Sequence, residues 1–93
     1  MQKWKHVRVD YMPSIEEPEW IKIWPAGSID LEWLKEDFNL DASVYKGQDD
    51  ILLKDKKGRE RFGRALYDYF EKNGWEVVKS KGDEITYKRP IED

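Results

Sequence analysis

The chain has no cysteine and a single histidine, His6, among its 93 residues. The first absence excludes a disulfide framework, a thiolate nucleophile and any cysteine-ligated zinc or iron–sulfur centre, and the second excludes a multi-histidine metal site. No apolar run approaches the roughly 20 residues of a membrane-spanning helix, and the opening Met-Gln-Lys-Trp-Lys-His has no secretory apolar core. The expectation is a soluble, cytoplasmic protein with no membrane partner and no cofactor. Aliphatic content is also low: Leu, Ile, Val and Phe number 21 in a chain of which 40% is charged. That is just above the composition at which such a chain stays disordered. Five Trp and five Tyr supply large buriable area, enough for one core and not for two. One domain over residues 1–90 with a frayed tail at 91–93 is expected.

The net charge of -3 hides an uneven distribution: residues 1–9 carry +3, residues 10–50 carry -8 and residues 51–93 carry +2. The densest basic stretch holds Lys54, Lys56, Lys57, Arg59, Arg61 and Arg64. It is a secondary candidate for attracting phosphate or an acidic protein, against the plainer reading of a solvated helix face.

Alternation marks a first strand over 4–11, with Val7, Val9 and Tyr11 on the core side and Trp4, His6 and Arg8 on the other. An acidic loop bracketed by Pro13 and Pro18 follows. Trp20 to Trp24 alternates again, with apolar residues on both faces, and stops at Pro25. Asp30 is placed to cap a helix over 31–38, Ile29 and Leu34 to staple it, and Asn39 to close it in the left-handed conformation. Ser43–Lys46 and Ile51–Lys54 flank Gly47-Gln48-Asp49-Asp50 as a hairpin with a four-residue loop. Phe62, Ala65, Leu66, Tyr69 and Phe70 form one apolar stripe of a second helix, from an Asp55 cap to an Asn73-Gly74 stop, with Gly63 allowing it to approach the sheet. Trp75–Lys79 and Glu84–Lys88 then alternate around 80–83 and end at Pro90. The expected fold is a two-layer α+β domain in the order β-β-α-β-β-α-β-β. Two helices lie on one face of a mostly antiparallel sheet of five or six strands.

The helix end Lys72-Asn73-Gly74, the strand Trp75-Glu76-Val77-Val78 and the closing Tyr87-Lys88-Arg89-Pro90 resemble a family of small bacterial domains of unknown function. The opening Lys3-Trp4-Lys5-His6-Val7-Arg8-Val9 is similar to the first strand of that family. The resemblance covers about a third of the chain, supports an α+β fold, and implies no activity and no catalytic residue.

Catalytic chemistry finds little here. His6 is the one side chain that ordinarily titrates near neutrality, and no general base, nucleophile elbow or glycine-rich phosphate loop accompanies it. A small hydrolase using His6 with Glu19 is the weakest of three functional classes. The carboxylates lack the spacing of a calcium loop, so no metal and no enzymatic activity are expected. The better lead is aromatic. If the first two strands are neighbours, Trp4, His6 and Arg8 share an outer face with Trp20, Lys22 and Trp24. Such a surface suits a protein partner or self-association, where Trp and Arg anchor binding. The alternative is a module for single-stranded nucleic acid, where indoles between cations stack on bases. A third possibility is that these indoles are buried.

Overall fold

The period-two pattern of the first two strands sorts into one buried and one open face. In β1 (Trp4–Met12), Val7 and Val9 are buried while Trp4, His6, Arg8 and Met12 are exposed. In β2 (Glu19–Trp24), Glu19, Ile21 and Ile23 are buried while Trp20 is exposed. The computed structural model describes residues 3–12, 19–55 and 58–91. The acidic loop between Pro13 and Pro18, Lys56, Lys57 and the last two residues lie outside them. The described chain continues as α1 (Leu31–Asp37), β3 (Leu40–Tyr45), β4 (Gln48–Leu53), α2 (Arg59–Lys72), β5 (Glu76–Lys81) and β6 (Glu84–Pro90). Six antiparallel strands form one sheet, ordered β3-β4-β2-β1-β6-β5, and with the two helices make a compact α+β fold.

The core gathers Val7, Val9, Ile21, Ile23, Leu40, Ile51, Leu53 and Tyr87 from the sheet with Leu34, Phe62, Leu66 and Phe70 from the helices. Each such side chain contributes roughly 1.5–3 kcal/mol on full burial. The helical stripe works through ring contacts: Phe70 stacks on Tyr87 with centroids 4.4 Å apart and meets Trp75 edge-on at 5.9 Å. Phe62 meets Phe38 edge-on at 5.3 Å. At α1, the Asp30 carboxylate accepts from the Glu32 N–H at 3.0 Å, and Trp33 stacks on Tyr69 of α2 at 5.5 Å.

Four local expectations are corrected. Phe38 closes α1 with extended backbone, φ -131°, so no left-handed closure at Asn39 is needed. Gly58 rather than Asp55 is the cap residue of α2, and the Asp55 carbonyl accepts from the Gly58 N–H at 3.1 Å. The two hairpins turn in two residues, not four. Lys46 and Gly47 both have positive φ, 50° and 76°, the backbone a tight hairpin demands. Gln48, Asp49 and Asp50 therefore join β4. These polar residues tolerate a strand because each finds a partner: Gln48 Nε2 donates to Asp50 at 2.6 Å, and the buried Asp49 carboxylate accepts from the Gly27 N–H at 3.0 Å. In the second hairpin Ser80 and Lys81 pair with Ile85 and Glu84, leaving Gly82-Asp83 as the turn. A Cβ at Gly63 would meet only the Tyr11 hydroxyl, at an ordinary 3.8 Å. Close packing does not require glycine there.

Candidate functional site

The pairing of β1 with β2 sets Arg8 opposite Trp24, Asp10 opposite Lys22 and Met12 opposite Trp20. Trp4, His6, Arg8, Trp20, Lys22 and Trp24 thus share the face opposite Val7, Val9, Ile21 and Ile23. Trp4 and Trp20 are 38% and 42% exposed and Trp24 is half-buried. Trp4 lies four residues from Arg8, and Trp20 four from Trp24, so the indoles sit about 13 Å apart along the strands. They form separate posts and not a continuous platform.

Two posts already carry a cation. The Arg8 guanidinium lies 4.1 Å above the Trp24 ring and the Lys88 ammonium 4.1 Å above Trp4, contacts of about 0.5–1 kcal/mol at exposed sites. The cations also face carboxylates: Arg8 faces Asp10 at 3.5 Å, Lys22 faces Asp50 at 3.8 Å and Lys88 faces Glu76 at 3.4 Å. By register, Arg8, Lys22, Lys79, Lys81 and Lys88 share this face with Asp10, Asp41, Asp50, Glu76 and Glu84. Burial pushes the Asp10 carboxyl above its ordinary range, with Arg8 pulling the other way, and its Oδ1 is buried without a hydrogen-bond partner. At one end, Met12, Trp20 and Leu52 make an apolar row across three strands. His6 is exposed opposite Lys88.

Several residues of this face were not legible as such: Lys88, Glu84, Leu52 and Asp50. The alternation Glu84, Thr86, Lys88 marks one side of β6, but only the β1–β6 pairing says that it continues the Trp face. Asp50 lay in the expected loop.

Of the described residues of the secondary basic stretch, Lys54, Arg59 and Arg61 are engaged internally. Lys54 bonds Asp41 at 3.0 Å, and Arg59 reaches Glu19 at 3.1 Å and Asp83 at 3.3 Å. Arg61 donates to the Asp37 carbonyl at 2.7 Å and covers the Phe38 ring at 4.6 Å. Arg64 is exposed. Glu19, proposed above as a partner for His6, points into the buried face while His6 is on the open one. The two are not brought together.

Among the described residues no group of three His, Asp or Glu side chains is arranged to hold a metal ion, and no helix is long and apolar enough to cross a membrane. No family model, curated protein or solved structure matches the chain. The likeness of the first strand and residues 66–90 to a small-domain family accordingly rests on those motifs alone.

Proposed function

We propose that this is a non-enzymatic interaction domain that self-associates through the open face of its sheet. The reading takes both helices to cover the inner face, which leaves Trp4, Met12 and Trp20 uncovered. The observation that carries it is the near balance of charge around those apolar posts: five bases and five acids share the face by register, and Lys54 reaches Asp41 from beyond the end of β4. A face without a strong net charge does not repel a second copy of itself at long range, so its apolar posts can pack against those of the second copy across a two-fold axis. The same balance weighs against a polyanion such as single-stranded nucleic acid. That ligand would need unpaired cations, and it would have to displace Arg8 and Lys88 from the ring faces on which bases stack.

The test is sedimentation velocity through a tenfold dilution series, with Trp20→Arg as the variant. The expected result is a mass that falls on dilution, is insensitive to salt, and is monomeric throughout for Trp20→Arg with an unchanged circular dichroism spectrum. A monomer at every concentration refutes self-association. Salt-sensitive shifts of the Trp4, Trp20 or Trp24 indole signals with a mixed-sequence single-stranded oligonucleotide would replace it with nucleic-acid binding.

A further inference from the structure

Lys5 and Arg89 stand directly opposite each other in the β1–β6 ladder, two positions along from the buried Val7–Tyr87 pair. They therefore belong to the inner face, at the end where α2 stops at Lys72. Like charges directly opposite destabilise a sheet unless something lies between them. Among the described residues neither takes part in an ion pair, whereas Arg8, Lys22 and Lys88 on the open face each meet a carboxylate. Arg89 is instead held by neutral groups. Its guanidinium donates to the Asn73 carbonyl at 3.2 Å and lies 4.9 Å over the Trp75 ring.

Two adjoining clefts, of about 460 and 420 Å³, have Lys5 and Arg89 as common walls. One is bounded further by Asn73, Gly74 and Pro90, the other by Val7, Pro25, Ser28 and Trp75 among others. Among the described residues no Asp or Glu lines either. Each is within the size range of small-ligand sites, and the second pairs an aromatic wall with the two charges.

We propose that the two clefts form one site for a small phosphomonoester. The phosphate lies between the Lys5 ammonium and the Arg89 guanidinium, and the organic body rests against Pro25, beside the Trp75 ring that Arg89 covers. A phosphomonoester carries close to two negative charges at neutral pH and offsets both cations at once, where a carboxylate offsets one. The planar guanidinium supplies two parallel N–H donors and the ammonium a movable third. This site is on the opposite side of the sheet from the Trp4, Trp20 and Trp24 face, and its occupancy is independent of self-association.

Amide and indole NMR of the whole chain tests it, with phenyl phosphate, inorganic phosphate and benzoate as probes and sodium chloride at matched ionic strength as the blank. Phenyl phosphate is expected to shift the Gly74 and Trp75 amides and the Trp75 indole saturably. Inorganic phosphate should bind the same residues more weakly and benzoate more weakly still, while the Trp20 indole stays fixed. Lys5→Gln and Arg89→Gln should each weaken phenyl phosphate about tenfold, the loss of one charge contact. The two variants are independent, so one that fails to fold leaves the other decisive. Equal shifts with sodium chloride, unchanged affinity in a folded variant, or benzoate binding as tightly as phenyl phosphate each overturn the proposal.

Discussion

Trp20 and Ile21 are neighbours on β2 that face opposite sides of the sheet, and truncating each to Ala separates the two faces energetically. Ile21 is 1% exposed within the core. Its truncation removes buried methylenes and leaves a cavity, at a cost of about 2–5 kcal/mol. Trp20 is the larger side chain, and a buried Trp truncated to Ala would cost about 3–5 kcal/mol. It is 42% exposed, however, and its neighbours across the strands are Met12 and Leu52. Two cross-strand pairs at about 0.2–1 kcal/mol each put the loss near 1 kcal/mol. The smaller deletion should thus be about two to five times the more damaging. With about 4–8 °C of Tm per kcal/mol for a domain of this length, a difference of about 1–4 kcal/mol should make Ile21→Ala melt at least about 4 °C below Trp20→Ala. Thermal unfolding followed by far-ultraviolet circular dichroism is the assay, because fluorescence would report the loss of an indole directly. It is run at low protein concentration so that association adds nothing to stability. Equal losses for the two variants, or a larger loss for Trp20→Ala, would show that the open face is covered and remove the basis of the proposed function.

Two further outcomes follow from buried polar groups. Burial, with Tyr67 adding to it, pushes the Tyr87 hydroxyl from 10.0 up to about 12; a phenol raised in the folded state favours the fold below pH 10 and loses that contribution as pH climbs toward 12. Stability should therefore fall across that window and fall less steeply in Tyr87→Phe, which keeps the stack on Phe70; a Tyr87 that titrates like a free phenol refutes the burial argument. Arg59→Met strands the buried Glu19 without its 3.1 Å partner. Because the Arg59 side chain is 40% exposed, the expected cost is about 1–2 kcal/mol and not the roughly 3–5 of a fully buried pair. Adding Glu19→Gln should recover part of it, and a double-mutant cycle without coupling would show the pair to be inert.

Legibility followed the physical range of each signal. The stripe Phe62, Ala65, Leu66, Tyr69, Phe70 is a property of one helix, and the alternation of Val7 and Val9 or Ile21 and Ile23 a property of one strand. Both are visible in the sequence because burial of one face imposes a period on the chain. The turn at Lys46-Gly47 was hidden. A lysine with φ 50° carries none of the usual turn chemistry, and three polar residues after it look like loop until Lys22 and the Gly27 N–H are known to meet them. The Asp55 cap was misplaced for a related reason. A good capping residue does not oblige the helix to start beside it.

The sequence alone determined that there is no disulfide or cysteine–metal chemistry, that one core forms and not two, and that the first two strands each carry Trp and cations on the face away from their aliphatic residues. Those are consequences of composition and of local period. Only the tertiary structure decided what that face is. By pairing β1 with β2 and β6, it turned three tryptophans into separate posts, capped two of them with Arg8 and Lys88, and set a carboxylate beside Arg8, Lys22 and Lys88. It likewise brought Lys5 and Arg89, 84 positions apart in the chain, into one pair that meets no carboxylate among the described residues. Strand pairing is a choice among distant segments, and register decides which charges neutralise each other and which are left without a counter-ion.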